Sequence, residues 1–338
     1  MDEILPFPFL GIVGQPELKT ALVLALVNPQ LSGVLLIGPY GVGKTSAVRA
    51  LLDILPDVEH EEQDADGKAV VRRQRMRLIE LPLNARLEDV VGGINERVAI
   101  EQQRVVFEEG VLARAHRNLL YIDEINLLDT QVVDAILDAA AQGRTFLRRG
   151  AATRLFASQF VLIGSMNPEE GSLRPQILDR FALRVWIAPL EGSTERMEIY
   201  RRAREFREDS AAFRKRYAAE TERLRDEVAA AREILPHVII PPESEAYALA
   251  CIQRLKIPSH RAEIALFEAA RARAASDYRA QVTIDDIRQV AALALRQRRS
   301  ASLESYAAQV AAENDLISRA LAAGPPPPPP SPQRRRRS

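Results

Sequence analysis

The segment Gly38-Pro-Tyr-Gly-Val-Gly-Lys-Thr45 constrains the fold more than any other part of the sequence. It matches the pattern G-x-x-x-x-G-K-[ST], in which successive backbone N–H groups surround phosphate oxygens. The apolar run 33–37 precedes it and predicts a buried parallel strand, whereas the run 46–55 predicts an amphipathic helix that Pro56 ends. A strand, a glycine loop and a helix N-terminus in this order form an anion site, because unpaired N–H groups and the helix dipole point to one place. The sequence therefore predicts a site for a nucleoside triphosphate.

Two side chains at the end of this loop have specific expected roles. Lys44 would neutralise the β- and γ-phosphates, and Thr45 would place its hydroxyl on Mg²⁺. A glycine turn that happens to precede a helix is the alternative, and it requires neither role.

A second candidate site follows the apolar run Leu-Leu-Tyr-Ile at 119–122, which predicts another buried strand. Asp123 and Glu124 emerge at the carboxyl end of that strand, which is the edge of an open α/β sheet where ligands bind. Asp123 would hold Mg²⁺ through water, and Glu124 would orient and deprotonate the attacking water. The alternative is a strand that ends in a solvated acidic turn. The pair Asp-Glu predicts hydrolysis and not only binding.

A third candidate residue is Asn167, which follows the predicted buried strand 160–164. At that position its amide could bond the attacking water or the γ-phosphate, whereas the alternative is a turn residue before Pro168. Further along, Asp179-Arg180-Phe181 follows a predicted helix and by itself indicates a surface ion pair. The run 186–189 is expected to close the sheet.

The composition limits the class of protein. The chain has 338 residues, which suggests about two domains, and 47% apolar residues, which is typical of globular proteins. Lys+Arg and Asp+Glu are equal at 46 each, so no overall field favours nucleic acid or an anionic membrane. The single cysteine, Cys251, excludes an internal disulfide. We see no signal peptide and no apolar run long enough to span a membrane, and we expect a cytoplasmic protein.

Four regions are expected in order along the chain: a nucleotide-binding α/β domain at 1–191, a helical linker of one or two long helices at 192–235, a helical lid domain at 236–323, and an extended Pro/Arg-rich tail at 324–338. Within the lid the expected helices are 244–255, 259–276, 284–299 and 302–323, and Thr283 starts the third of them. Within the first domain we expect an exposed acidic loop at 60–68, a basic strand edge at 72–77, an insertion at 88–106 and a hairpin at 144–158.

Five segments together resemble one protein family: 9–15, 38–45, 110–117, 121–129 and 167–181. The chain resembles the AAA+ ATPase subunit I of magnesium chelatase over about residues 6 to 300. The block Asn-Pro-Glu-Glu-Gly…Leu-Arg-Pro-Gln…Leu-Asp-Arg-Phe at 167–181 is specific to that branch. The phosphate-loop and Asp-Glu motifs are shared by all of its relatives.

The resemblance implies an AAA+ P-loop NTPase fold, with a parallel sheet flanked by helices and a C-terminal all-α lid. It implies that Arg180 is an arginine finger that reaches the γ-phosphate of a neighbouring subunit. It also implies that Arg261 is the sensor 2 arginine, which contacts the nucleotide of its own chain. The region 88–106 would be the helix-2 insertion, and 144–158 the hairpin before sensor 1.

In this family the turn Ile-Val-Gly-Gln at 12–15 would hold the adenine base of ATP. The residues expected to contact the nucleotide therefore belong to this turn and to the glycine loop: Val13, Gly14, Gly38, Pro39, Tyr40, Gly41, Val42, Gly43, Lys44, Thr45 and Ser46. The implied ligands are ATP and Mg²⁺, the latter at Thr45 and Asp123.

The family implies a homo-oligomeric ring, usually hexameric, that drives insertion of Mg²⁺ into protoporphyrin IX. Its partners would be a second AAA+ subunit with an integrin-type domain and a large porphyrin-binding subunit. Two departures stand out: the segment 56–77 is short and lacks cysteines, and the Pro/Arg tail is unlike a typical subunit I. Two alternatives stay open: a chelatase-like or MoxR-like ATPase that remodels another partner or inserts another metal, and a scaffold that binds ATP without turnover.

Overall fold

A computed structural model describes residues 5–63, 69–94, 98, 101, 106–149, 152–299 and 301–322. The chain divides into two compact units, Met1–Arg298 and Arg299–Ser338. The strands in the described residues are β1 Val34–Ile37, β2 Asp57–Gln63, β3 Ala69–Arg75, β4 Leu78–Leu81, β5 Gly92–Ile94, β6 Phe107–Glu109, β7 Leu119–Ile122, β8 Arg144–Arg149, β9 Ala152–Ala157, β10 Val161–Met166 and β11 Leu183–Trp186.

The helices in the same residues are α1 Pro16–Val27, α2 Lys44–Ala50, α3 Leu87–Val91, α4 Val111–Arg114, α5 Thr130–Gln142, α6 Pro175–Arg180, α7 Ser193–Glu208, α8 Ser210–Lys215, α9 Ala218–Ile234, α10 Pro242–Arg254, α11 His260–Ser276, α12 Ile284–Leu295 and α13 Ala301–Ala322. The last of them belongs to the second unit. Leu316 and Ile317 on α13 are exposed. No helix in the described part of the chain has the length and apolar character needed to cross a membrane.

The centre of the first unit is a five-stranded sheet in the order β11-β1-β10-β7-β4, with every neighbouring pair parallel. All residues of β1, β7 and β10 are buried, as expected for parallel strands covered by helices on both faces. The parallel order brings the carboxyl ends of β1, β10 and β7 side by side at one edge. The glycine loop, Asn167 and the pair Asp123-Glu124 follow these three ends.

The two faces of the sheet are covered by separate apolar clusters. Val34 and Leu36 belong to one cluster, which continues through α1 into the helices α11 and α12. Leu35 and Ile37 belong to the other, which includes side chains of α5 and Phe181. Alternate residues of β1 therefore face opposite sides, as the pleat of a strand requires.

The expected helical linker at 192–235 consists of three helices, α7, α8 and α9, rather than one or two. The chain is extended at Asp209, with φ of −151°, and the Asp209 carboxylate accepts a hydrogen bond from the backbone N–H of Ala212 at 2.8 Å. This cap starts a new helix and explains the break. The expected start of α12 at Thr283 is confirmed, because its hydroxyl and the Asp286 carboxylate form a capping box.

The acidic segment expected to be a loop at 60–68 was assigned incorrectly over 60–63. These residues belong to β2, which pairs antiparallel with β3 and places acidic side chains opposite basic ones, such as Glu59 opposite Arg73. Opposite charges across a strand pair stabilise the pairing. The two charge runs form one hairpin, and residues 64–68 lie outside the described residues.

Other boundaries differ by a few residues. The helix after the glycine loop ends at Ala50 and continues as a 3-10 turn at Leu51–Asp53, and the last strand of the sheet is Leu183–Trp186 rather than 186–189. The third lid helix ends at Leu295. The hairpin at 144–158 is present as β8 and β9. Most of the insertion between β5 and β6, and the tail 324–338, lie outside the described residues.

Candidate nucleotide-binding and hydrolysis site

The glycine loop joins β1 to α2, and its first residue lies against the neighbouring strand. A Cβ atom on Gly38 would lie 2.5 Å from the carbonyl oxygen of Ile187, so only glycine fits there. Gly43, the residue before α2, has φ of 87°, which is in the left-handed region that glycine adopts without strain. A Cβ built on it would meet no atom within 4 Å. The loop is therefore packed at its base and open at its turn.

Lys44 lies beneath this loop and is almost completely buried. Its Nζ donates hydrogen bonds to the carbonyl oxygens of Gly38 at 2.6 Å and Pro39 at 2.9 Å. Burial lowers the pKa of Lys44, while the nearby Asp123 and Glu124 carboxylates act to raise it. The ammonium group is thus held inside the loop, where an anionic ligand would lie beside it.

Thr45 and Asp123 come together as predicted, with the threonine hydroxyl 2.9 Å from Asp123 Oδ2. The other carboxylate oxygen, Oδ1, accepts hydrogen bonds from the hydroxyl groups of Tyr121, at 2.9 Å, and of Ser165. Tyr121 OH also lies 3.3 Å from Thr45 Oγ1. Three hydroxyl side chains, from α2, β7 and β10, therefore converge on one carboxylate.

The pKa of Asp123 is lowered despite its burial. Burial acts to raise it, but the hydrogen bonds from Ser165, Tyr121 and Thr45 and the charge of Lys44 outweigh that effect. Burial also raises the pKa of Tyr121, so this hydroxyl stays protonated and acts as a donor. An ionised carboxylate beside a threonine hydroxyl is a set of oxygen donors that suits Mg²⁺.

Glu124 follows Asp123 in the left-handed conformation, with φ of 50°. Its backbone N–H donates to Ser165 Oγ at 3.1 Å. Ser165 thus contacts both acidic residues, through its hydroxyl hydrogen to Asp123 and its oxygen to Glu124. This arrangement fixes the backbone that carries the candidate base.

Asn167 has the turn contact that the sequence offered as one alternative, and its amide nitrogen is left over for the other. Its Oδ1 accepts a hydrogen bond from the backbone N–H of Glu169 at 3.1 Å, which is the turn role. Its Nδ2 is buried and has no partner among the described residues. A buried amide donor without a partner is costly, and a ligand oxygen or an attacking water would satisfy it.

A cavity of about 570 Å³ lies beside the glycine loop. It is lined by the turn at 11–15, by the loop and by α7, and its apolar lining includes Val13, Val42, Leu190 and Ile199. A mostly apolar cavity next to a phosphate loop has the character needed to hold a planar base. The expected base-binding turn and the expected phosphate loop therefore form the two sides of one cavity.

The two candidate arginines lie apart from the glycine loop. Arg180 ends α6, and its Nη1 forms ion pairs with Asp138, at 2.8 Å, and Asp134, at 3.8 Å, on α5. Arg261, in the first turn of α11, is half-exposed, and its Nη1 lies 3.5 Å from Asp179 Oδ2. Both side chains therefore contact carboxylates near the end of α6 in the described part of the chain.

Known proteins resemble this chain over most of its length. The family described as "Magnesium chelatase, subunit ChlI" matches residues 9–176, and an AAA lid domain matches residues 245–320. A magnesium-chelatase subunit ChlI homolog of Methanocaldococcus jannaschii is 40% identical over 311 residues, which are 86% of this chain and 85% of that protein. The chain belongs to the magnesium chelatase ChlI family. The magnesium-chelatase 38 kDa subunits of Acidiphilium rubrum, at 40% identity, and Chlorobaculum tepidum, at 37%, cover 86% and 87% of the chain, and the chain covers 90% and 81% of them.

Two solved structures resemble the fold. One is a complex between subunits BchI and BchD of magnesium chelatase based on a cryo-EM reconstruction, with 35% identity, a TM-score of 0.50, and coverage of 89% of this chain and 99% of that chain. The other is a putative ATPase of Cytophaga hutchinsonii, with 19% identity, a TM-score of 0.57 and coverage of 87% and 86%, which supports the fold alone.

The expected family and the expected AAA+ fold with a lid are confirmed. Membership of the ChlI family makes the chain an AAA+ ATPase and implies the use of ATP and Mg²⁺. Sequence reasoning missed Tyr121 and Ser165. Both were detectable, because each lies two residues before a predicted site residue and therefore points to the same side of its strand.

Proposed function

We propose that the chain is the ATP-hydrolysing motor subunit of a magnesium chelatase and powers insertion of Mg²⁺ into protoporphyrin IX in chlorophyll or bacteriochlorophyll biosynthesis. The observation that carries this proposal is the cluster around Asp123, which brings together Thr45, Lys44 and the buried donors in a chain that matches chelatase subunits over most of its length. The proposed location of the complex is the cytoplasm.

In this proposal the nucleotide lies across the cavity and the glycine loop. The base contacts Val13 and Gly14, and the phosphates contact the residues from Gly38 to Ser46, with Lys44 as the main cation. Thr45 and Asp123 hold Mg²⁺, which neutralises charge on the β- and γ-phosphates when bound. The free Nδ2 of Asn167 donates to the γ-phosphate or to the attacking water.

Glu124 is the proposed general base for the attacking water. Its backbone is fixed by Ser165, so its side chain is carried on a rigid part of the sheet edge. A general base that lies within reach of its water typically contributes about 10²- to 10⁴-fold to the rate. Glu124→Gln should therefore reduce ATP turnover by about 100-fold or more and leave ATP binding intact.

The site is proposed to be complete only between protomers of a homo-oligomeric ring, which we propose is a hexamer. Arg180 would stabilise the transition state in the neighbouring protomer, and Arg261 would contact the nucleotide of its own chain. Removing an arginine finger costs about 10³-fold or more in turnover. The other proposed partners are the AAA+ subunit with an integrin-type domain and the large porphyrin-binding subunit.

Reconstitution with the two cognate partner subunits tests the proposal. We expect ATP-dependent formation of Mg-protoporphyrin, measured by fluorescence, and its loss with Glu124→Gln. Glu208→Gln is the matched control, because in the described part of the chain Glu208 pairs with a single residue, Arg204, at the exposed surface of α7. ATP hydrolysis without chelation in the full complex would refute the chelatase assignment.

A second candidate is a chelatase-like ATPase that remodels another partner with an integrin-type domain or inserts another metal. The observation that keeps it open is that the ChlI homolog of Methanocaldococcus jannaschii is as similar to this chain, at 40%, as the Acidiphilium rubrum chelatase subunit. Sequence identity does not separate the two. Stimulation of ATP turnover by an integrin-type partner, with no effect of the porphyrin-binding subunit, would support this candidate.

A further inference from the structure

The C-terminal end of α6 lies in a cluster of charged side chains, of which Asp179, Arg184 and Arg298 have no role in the proposed reaction. The Asp179 carboxylate is at its centre. Oδ1 accepts a hydrogen bond from Arg298 Nη1 at 2.8 Å, and Oδ2 accepts one from Ser259 Oγ at 2.8 Å and lies 3.5 Å from Arg261 Nη1. Ser259, Arg261 and Arg298 all belong to the helical region after the sheet. One carboxylate therefore connects α6 to that region at three points.

Arg298 is the most extensively bonded member of the cluster, and its side chain is fully buried. Besides Asp179 Oδ1, its guanidinium donates to the backbone carbonyl oxygens of Asp179 at 3.2 Å, Phe181 at 2.8 Å and Ala182 at 3.0 Å. Its Nε donates to the carbonyl oxygen of Ala294 in α12 at 2.6 Å. Because a buried cation is costly without partners, these bonds hold it in one geometry.

Arg184 on β11 supports the same end of α6 and is also fully buried. Its Nη2 donates to the carbonyl oxygen of Leu178, and its Nη1 donates to that of Arg296 at 2.8 Å. Burial and the charge of Arg298 lower the pKa of Arg184 to about 10. The carbonyl groups of residues 178, 179, 181 and 182 are thus bound by two guanidinium groups, those of Arg184 and Arg298.

Arg180 lies in the middle of this segment. Arg298 binds the carbonyl oxygens of Asp179, before it, and Phe181, after it, and the carbonyl oxygen of Arg180 itself accepts from Ser32 Oγ at 2.9 Å. The backbone of Arg180 is therefore fixed on both sides, while its side chain extends to α5 and remains partly exposed. An arginine whose side chain must reach a second protomer requires a fixed backbone of this kind.

We infer that Arg298 and Asp179 are positioning residues for Arg180, and that they couple the lid to the site of the neighbouring protomer. The inference rests on the proposed role of Arg180 as an arginine finger. Arg261 and Arg298 share the Asp179 carboxylate, so a displacement of the lid that moves Arg261 also acts on the backbone that carries Arg180. Neither Asp179 nor Arg298 is among the residues proposed to contact the nucleotide.

A double-mutant cycle on the full-length chain tests the inference. Steady-state ATP turnover is measured at saturating ATP for wild type, Arg298→Lys, Arg180→Ala and the double variant. Lysine keeps the positive charge, but its single ammonium group cannot form the separate hydrogen bonds that the guanidinium group of Arg298 forms. We expect Arg298→Lys to lower kcat by about tenfold to a hundredfold, because a displacement of Arg180 by about 1 Å has an effect of this size. KM for ATP should not change. In the Arg180→Ala background the same substitution should have no further effect.

The cycle separates this inference from the proposed function. If Arg298→Lys lowers kcat by the same factor in both backgrounds, or leaves kcat unchanged in the presence of Arg180, the inference is wrong and the finger role stands. If Arg180→Ala alone leaves turnover unchanged, both the finger role and the inference are refuted. Thermal unfolding of each variant confirms that it is folded. Asp179→Asn repeats the cycle if Arg298→Lys does not fold, with the same two outcomes.

Arg271→Lys is the matched control. Arg271 also binds backbone carbonyl oxygens, those of Leu235 at 3.0 Å and Val238 at 3.2 Å, and pairs with Glu268. These partners all lie within the helical region and not on α6. Its substitution should leave kcat within twofold of wild type, which would show that loss of an arginine anchor in general does not impair turnover.

Discussion

Replacing Tyr121 by phenylalanine removes one hydroxyl donor from Asp123 and leaves the aromatic ring in the core. Tyr121 OH lies 2.9 Å from Asp123 Oδ1, and the side chain is almost completely buried. A hydrogen bond to a charged group contributes about 1.5–3 kcal/mol to stability. Asp123 keeps two other hydroxyl donors and is only partly buried, so the lower value of about 1.5 kcal/mol applies.

The loss should depend on the charge of Asp123. With Asp123→Asn the tyrosine can form only a neutral hydrogen bond, and Tyr121→Phe should then cost about 0.5 kcal/mol. The pKa of Asp123 is lower in the folded protein than in the unfolded chain, so its carboxylate stabilises the fold above the unfolded value, which is about 3.9. This contribution is lost as the pH falls through the folded pKa. The effect of Tyr121→Phe should therefore be full at pH 7 and decrease below about pH 4.

Urea-induced unfolding of wild type, the two single variants and the double variant at pH 7 measures the coupling between the two residues. Equal losses for Tyr121→Phe with Asp123 and with Asp123→Asn would refute the reasoning, since the hydroxyl would then act on packing alone. Tyr247→Phe is the control, because the Tyr247 hydroxyl accepts an exposed hydrogen bond from Arg288 Nε at 3.2 Å, the one hydrogen bond it has among the described residues. It should change stability by less than about 0.5 kcal/mol.

Three further predictions concern the loop, the lid and the ring. Gly38→Ala places a Cβ 2.5 Å from the Ile187 carbonyl oxygen and should weaken ATP binding at least about tenfold, measured with a fluorescent nucleotide. Gly93→Ala is the control and should leave ATP binding unchanged, because its Cβ would lie in open space. Thr283→Ala removes the cap of α12 and should lower stability by about 1 kcal/mol in urea without changing ATP affinity. ATP turnover per protomer should fall on dilution below the assembly range, and a constant value would contradict the inter-protomer site.

The part of the site that could be predicted from the sequence consists of residues that directly follow three short apolar runs. The apolar runs before Gly38, Asp123 and Asn167 predicted three buried parallel strands, and such strands end at one edge of a sheet. The structure places all three strand ends side by side. The relative placement of these residues followed from burial and parallel order alone.

The pairing of β2 with β3 was missed because it can be recognised only when the two segments are considered together. An acidic run by itself indicates a loop and a basic run by itself indicates a strand edge, but the register that places Glu59 opposite Arg73 is a property of the pair. The acidic run shows no apolar alternation that would mark it as a strand.

The cluster at the end of α6 was missed for a different reason. An arginine in a short strand, such as Arg184, is normally assigned to the surface, because a buried cation without partners is costly. The partners of Arg184 are backbone carbonyl oxygens. Because every residue carries one, residue types do not indicate which of them will accept a hydrogen bond from an arginine. Arg298, near the end of the lid, bonds to a segment far away along the chain. Only the tertiary structure shows that these cations are satisfied.

The proposed metal site at Asp123 and the proposed arginine finger Arg180 are held in place by different residues. The donors to Asp123 are Tyr121, Ser165 and Thr45, which lie on strands of the sheet or at the start of α2. The backbone on either side of Arg180 is held by Arg298, which is anchored to α12 of the lid. In the proposed ring, a movement of the lid should therefore act more directly on Arg180 than on the donors around Asp123. It should alter the turnover of the neighbouring protomer more than it alters the proposed metal site of the protomer that moves.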